Sequence, residues 1–554
     1  MLTPQSETER AVFELWKEFQ PNDAFVLGID ECAGRVFVPT QAKVDRIRAK
    51  ISRAQKGTKD PTERKLLASM RAALELREPA QLPESLVQSI FAYLIKEGGA
   101  DPNHMGSLAR DARRALDAAR KRAHGATPPG MRALVQIACD SLNGVLRTVE
   151  AELRDEGAKQ AVRGLLAANA RYAKAFDLPG FPLKGGFEEV YAFFKRSGCE
   201  LGRTRSYARA LRDLWDYDQT PSQVEAAGLR MMRRELPHFR ALVRRLAEEL
   251  GCASAAEAVT AALKEKRGLR PDQILPFLNE VRGPAMRVAD KHLVAINPHY
   301  ATQIVETPPY LANSVPSGAA YGLDTLTDHP REIFLATTDE RSAARPPPGE
   351  LLNLLVHEEY GHCVHGSNSA YAFAASPRLL DLVASTFASV SEGIAFQREV
   401  EFLPIIQEVA AGKLAGTEED AFGESLERWG GIGRVSREYE FLATLWRIVR
   451  FLRVIGDARI NSGKQDLIRF IEWAHRTTAL ERATIYYNLF PAHQIIGPGY
   501  ASTYAIIGER IRELQQEALK RGKSLRAFNA YASSIGWPPK SVFEAKLEAW
   551  IRSR

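Results

Sequence analysis

Cysteine is scarce in this 554-residue chain. There are five, Cys32, Cys139, Cys199, Cys252 and Cys363, odd in number, far apart and without a C-x-x-C pair. That excludes a disulfide framework and a cysteine-held zinc module, and it suits a reducing compartment, so a cytoplasmic location is expected. Long apolar runs are also missing: none reaches the roughly 18 residues that would mark a membrane-spanning helix. The first ten residues, Met1 to Arg10, contain no basic stretch followed by an apolar one, so no cleaved secretory leader is expected. Blocks of like charge are absent too. The net charge is +7, but the basic residues are spread along amphipathic segments, which describes a solvated surface better than a nucleic-acid footprint. No fixed-period repeat is evident. With 45% hydrophobic and 26% charged residues, the composition is that of a globular protein rather than a disordered one.

What is present is mostly helical patterning. From residue 7 to about 285, apolar residues recur at three- and four-residue spacing with charges on the other face, as in Arg64 to Leu76 and Val135 to Leu153. Pro- and Gly-rich breaks at Thr127–Gly130 and Leu178–Pro182 read as turns between helices. Thr220-Pro221 starts a further helix running toward Leu250, with Thr as cap and Pro at the first helical position. After Val281 the character changes. His292–Ile296 and Arg331–Thr337 read as short strands separated by an irregular loop, so a small sheet is expected there. The division this suggests is a helical region, 1–285, covering a cleft that belongs to a catalytic region, 286–554.

The most informative stretch is Leu351-Leu352-Asn353-Leu354-Leu355-Val356-His357-Glu358-Glu359-Tyr360-Gly361-His362. It is apolar up to Val356, as a buried helix requires, and then carries two imidazoles and two carboxylates within six positions. Burying such groups is costly unless they pair or bind a metal. Imidazole nitrogen and carboxylate oxygen are donors that Zn²⁺ accepts, and a Glu directly after the first His is placed to act as general base. The pattern is one residue longer than the helical H-E-x-x-H signature. On a regular helix His362 would lie roughly 140° around from His357. A π-type bulge, made cheap by Gly361, would realign the two. The plain alternative is a chance pair of histidines on a core helix.

Gly366 reads as the stop of that helix, and a long apolar helix follows from about Arg378 to Phe402. Within it, Glu392 lies thirty residues past His362, where a neighbouring helix could deliver a third ligand. Glu399, seven residues on and on the same face, could hold the second nitrogen of a ligand histidine. Both could equally be structural carboxylates paired with Arg398 or a neighbour. His365 is a rival ligand, and Glu359 a rival base.

These residues carry a family resemblance. His357-Glu358-Glu359-Tyr360-Gly361-His362 and Glu392-Gly393-Ile394-Ala395-Phe396-Gln397-Arg398-Glu399 resemble the H-E-x-x-P-G-H and E-G-W-A-x-Y-x-E signatures of the bacterial domain-of-unknown-function 885 family, a gluzincin-like group. The Pro is missing and Ile394 replaces Trp, and the shortened first motif is similar to the H-E-L-L-G-H of dipeptidyl peptidase III. Asp218 to Gly228 and Gly499 to Gly508 resemble further segments of the family. The resemblance implies a mostly α, multi-helical gluzincin peptidase fold around one cleft, with a small β-sheet beside the metal-binding helix.

The reading is therefore a zinc metallopeptidase with one Zn²⁺ per chain, His357, His362 and Glu392 as ligands, Glu358 as base, and a peptide or small amide as substrate. An amidohydrolase acting on a non-peptide amide, or a non-catalytic binding protein retaining the fold, are the alternatives. Donors for an oxyanion are sought in Pro491–Tyr504. There the Gly497-Pro498-Gly499 turn would bring Tyr500 and Tyr504 to one face, and the segment resembles the region of thimet oligopeptidase in which a His and tyrosines assist the zinc. His493, Tyr500 and Tyr504 are the candidates, against a reading of the tyrosines as core packing.

Overall fold

A computed structural model of the chain describes residues 3–122, 127–264, 268–308, 315, 317–338, 345–371, 375, 377–383 and 389–553. Helix follows helix from Glu7–Phe19 to Pro271–His292, and again from Pro348–Leu355 to Lys540–Arg552. Several helices begin on a side chain that accepts an otherwise unpaired backbone N–H, as Ser6 does from Glu9 and Asp155 from Ala158. The Thr220 helix starts with a full capping box through Gln223, runs over Pro221–Leu250 and ends on a left-handed Gly251. The chain is mostly helical, with one small sheet.

That sheet has three strands, β1 (Thr302–Glu306), β2 (Gly318–Leu323) and β3 (Arg331–Ala336), in the order β1-β3-β2. β3 is central, parallel to β1 and antiparallel to β2, which leaves β2 as an edge. The expected strand at His292–Ile296 is not one. His292 closes the Pro271–His292 helix, and Leu293 and Val294 then drop into the core, while the Asp290 side chain accepts from the Ile296 N–H. Two of the three strands come instead from the stretch read as an irregular loop. Helix is found over Leu379–Val383 and Ser389–Ala410 of the stretch expected to be helical from 378 to 402, with 384–388 outside the described residues. Spacing misleads at one further point. Gly366 does not stop its helix, which continues over Val364–Ala370.

Burial explains why the halves hold together. The larger core cluster joins Leu86, Phe91 and Met231 to Leu452, Phe490 and Ile507, so residues before and after 285 share one interior. A second cluster, with Phe277, Val281, Leu352, Val356, Phe402 and Tyr439, packs behind the helix that begins at Pro348. At about 1.5–3 kcal/mol for each fully buried large apolar side chain, these contacts hold the Pro348 helix firmly on the side away from the cleft.

Candidate metal centre

The Pro348–Leu355 helix passes without a break into a π-helix, Val356–Cys363, and then back to α at Val364. The Val364 N–H donates to the carbonyl of Glu359, five residues back. This wider turn brings residues five apart onto one face, so His357 and His362 stand together with ring centroids 5.0 Å apart and nearly perpendicular. The Ser389–Ala410 helix crosses in front and delivers Glu392. Its Oε2 lies 3.8 Å from His357 Nε2 and 3.7 Å from His362 Nε2.

Gly361 stands at the crossing. A Cβ there would come within 2.5 Å of Ala395 Cα, so this glycine permits close approach rather than an unusual backbone angle. We expect Gly361→Ala to force the two helices apart, lowering stability by about 1–3 kcal/mol and weakening metal binding. Denaturant unfolding with metal titration checks this, and unchanged values for both would mean that the crossing has slack.

The outer nitrogens of both histidines are engaged. Nδ1 of His357 lies 2.6 Å from Glu399 Oε1, and Nδ1 of His362 lies 2.8 Å from Ser391 Oγ. Both Nε2 atoms are thereby turned toward Glu392. Arg450 binds Glu399 from behind at 2.7 Å. Burial would raise the Glu399 carboxyl, but Arg450 and His357 outweigh it and hold it at about 2. Burial likewise opposes charge on His357, yet the Glu399 contact keeps its pKa above the usual value. His362 is pushed well below, by burial and by the neighbouring His357.

Glu392 Oε2 is buried and has no hydrogen-bond partner among the described residues. Its other oxygen, Oε1, accepts from the Tyr500 hydroxyl at 3.2 Å. An orphaned carboxylate oxygen facing two imidazole nitrogens is the donor set of a two-His, one-Glu cation site, and the three donor atoms lie within 4.8 Å of one another. Tetrahedral coordination at ordinary zinc bond lengths needs separations of about 3.3 Å, so a small contraction would complete it. The residues fit the ion.

Glu358, 7% exposed, lies beside this triad on the cleft wall. Burial pushes its carboxyl up to about 7, against the pull of His357 and of the Ala320 N–H on β2. The two rivals point elsewhere. Glu359 is fully buried and accepts from Arg282 at 2.7 Å and Tyr300 at 2.9 Å. His365 Nε2 donates to the Gly536 carbonyl at 2.8 Å, and its ring lies against Trp537.

Tyr500 and Tyr504 both reach the cleft, with their hydroxyls 3.3 Å apart. The turn carrying Tyr500 is tied down from two sides. Gly499 N–H and Ser502 Oγ donate to Asp457 at 3.2 and 2.9 Å, and Trp215 Nε1 donates to the Pro498 carbonyl at 2.7 Å. His493 sits behind the tyrosines, its ring stacked on Tyr500 at 5.6 Å, and is not among the residues lining the cleft. Burial and Arg453 push its pKa well below normal, so it stands there as a neutral ring.

Sequence reading missed the supports of this site. Arg450 had a visible signal: Arg447, Arg450 and Arg453 recur every third residue in the otherwise apolar run Leu445–Val454. All three are turned inward, onto Glu235, Glu399 and Asn488 respectively. Ser391 had none, since a serine beside a carboxylate is commonplace. Nor did the opposite cleft wall, where Val26, Leu27, Gln88 and Phe91 of the N-terminal helices close a cavity of about 630 Å³.

The fold and site together define a mostly helical protein with a small sheet and a candidate metal centre on the floor of a cleft. No family model matches the chain, and no curated protein matches it. Among solved structures it is similar to a "putative lipoprotein" from Colwellia psychrerythraea, with a TM-score of 0.64 and 15% identity over 99% of this chain and 100% of that one. It is also similar to a "putative lipoprotein of unknown function" from Shewanella oneidensis, with a TM-score of 0.61 and 15% identity over 97% and 98%. At this identity the likeness is one of fold, and it runs the full length of the chain. No described helix is long and apolar enough to cross a membrane.

Proposed function

We propose that the protein is a zinc-dependent metallopeptidase of the gluzincin type, related to the domain-of-unknown-function 885 family. The observation that carries this reading is the unpartnered Glu392 Oε2 facing the Nε2 atoms of His357 and His362, with Glu358 beside them in the cleft. His357, His362 and Glu392 would hold the ion, which when bound supplies a Lewis acid that polarises a carbonyl and lowers the pKa of water. Glu358 takes a proton from the attacking water and returns it to the departing amine, a task suited to a carboxyl whose surroundings raise its pKa. Glu399 and Ser391 fix the ring orientations through Nδ1. A peptide rather than a small amide is favoured by β2, an edge strand along the cleft wall that can pair with an extended chain. We also place the protein in the cytoplasm, since four of its five cysteines are buried free thiols.

Purified protein should contain about one zinc per chain and cleave a mixed peptide library, with cleavage abolished by a chelator and restored by zinc. Zinc-loaded protein that leaves every peptide and every N-acyl amide intact would refute the reading and favour a binding role.

Tyr500 is placed to donate to the oxyanion that develops as the carbonyl is attacked. Its hydroxyl already reaches a ligand carboxylate and Tyr504, and its pKa is pushed well above normal by burial and the nearby charges, so it remains a donor. An oxyanion donor is typically worth about 10²- to 10³-fold in kcat. Tyr500→Phe should lose about that much with little change in KM or Tm, and Tyr504→Phe less. An early-melting variant with normal kcat would make the hydroxyl structural.

A further inference from the structure

The cleft is acidic although the chain is basic. Asp23, Glu332, Glu358 and Glu392 line it, and no Lys or Arg among the described residues does. Two of these carboxylates, Glu358 and Glu392, belong to the proposed metal chemistry. Glu332 has no part in it and is the unusual one. It lies on the central strand β3, is 5% exposed, and its side chain makes no hydrogen bond or ion pair among the described residues; its Oε1 is buried without a partner. A carboxylate is not left this way without cost, because burial alone penalises its charged form.

Its carboxylate is packed between two glycines. The side chain passes over Gly322 of β2, its register partner, where a Cβ would come within 3.2 Å of Oε2. On the other side stands Gly366, where any Cβ would strike Oε1. The Glu332 carboxylate thus occupies the space that a side chain at either glycine would need. Gly366 is four residues past His362, about 6 Å along the helix axis, and Gly322 is two residues along β2 from Ala320, whose N–H faces Glu358. The Glu332 carboxylate is thus about one or two residues of extended chain from the proposed scissile bond. Asp23, half-buried with Asn22 as its hydrogen-bonding neighbour, adds negative charge from the N-terminal side. Lys96, beside this wall, is committed to Asp324 at 2.8 Å and cannot neutralise it.

We propose that Glu332 is a specificity-determining residue that receives a cationic group of the substrate, an ammonium or guanidinium reaching its carboxylate from the cleft side. This rests on the peptidase reading only for the nature of the substrate, a peptide. The cation could come from the peptide's free N-terminus or from a Lys or Arg side chain, and in either case it would pair with the carboxylate at Oε2, the oxygen that is not sealed off by burial. The described residues of this wall include no Lys or Arg to anchor a terminal carboxylate, so the N-terminal or side-chain cation is the charge they favour.

The test is calorimetric binding to the zinc-loaded chain, repeated in the Glu358→Gln background where peptides persist. Two matched pairs are used: Ala-Ala-Ala against its N-acetyl form, and N-acetyl-Lys-Ala-Ala against N-acetyl-norleucine-Ala-Ala. A charge-assisted bond to a desolvated carboxylate should favour the cationic member of at least one pair by about 10- to 100-fold, and which pair responds identifies the source. Glu332→Gln should erase that preference while leaving the neutral members within about twofold. It should also raise Tm. A carboxyl whose folded pKa is raised loses its stabilising protonated form as pH climbs through that pKa, so the gain from Gln is greatest at high pH. Equal binding within both pairs, or a preference that survives Glu332→Gln, overturns the inference. Charge-selective binding through Glu332 without cleavage of any peptide would sustain it and remove the peptidase reading. Cleavage without charge preference would do the reverse.

Discussion

Glu358→Gln should leave a folded, metal-loaded chain whose kcat is lower by about 10²- to 10⁴-fold, the usual worth of a positioned general base. The amide has the shape of the carboxylate but cannot take the proton from water. Little stability should be lost, because burial already pushes the Glu358 carboxyl up to about 7, so the charged form gains little from its surroundings. The measurement is kcat on a cleaved peptide beside zinc content and Tm. Near-normal turnover would remove Glu358 as base. Glu359 would not inherit the role without rearrangement, since Arg282 and Tyr300 hold it away from the cleft.

The second large effect is on metal binding. Glu392→Ala removes the single carboxylate oxygen that faces both Nε2 atoms. Loss of a partner that only orients a ligand typically costs about 10- to 100-fold in metal affinity, and loss of the ligand itself should exceed that. The expected order is therefore Glu392→Ala, with a drop well beyond 100-fold, then Glu399→Gln within the 10- to 100-fold range. His365→Ala should show none, because its imidazole is spent on Gly536 and Trp537. Competition against a chelator of known affinity reads all three. A Glu392→Ala chain that keeps its zinc would exclude Glu392 as a ligand, and loss of zinc in His365→Ala would point to a different ligand set.

Stretches with a strong local code are legible in the amino-acid order alone. The capped helix from Pro221 and the π-type irregularity in the Pro348 helix follow from neighbours in sequence: a Thr-Pro start, and two histidines five apart with a glycine between. The placing of Glu392 near the histidines rests on one buried-looking carboxylate in an apolar helix, and the structure brings the three together. Where a segment's own pattern is weak, tertiary packing decides otherwise. Leu293 and Val294 carry strand-like residues, yet their burial in the core is satisfied without a ladder. Gly366 reads like a helix stop because glycine commonly ends helices, whereas here it makes space for the Glu332 carboxylate.

By itself, then, the amino-acid order determined the helical class, the helix that carries the candidate metal ligands and the choice of donor types, all of which depend on periodicities of a few residues. The cleft is another matter. Its far wall comes from residues near 25 and 90, its tyrosines from near 500, and the relay behind His357 from Glu399 and Arg450. Nothing in local spacing relates such positions, because they meet only when amphipathic helices from both ends of the chain bury their faces in a shared core. The same packing decides which carboxylates are paid for by a partner and which, like Glu332, are left facing the cleft without one.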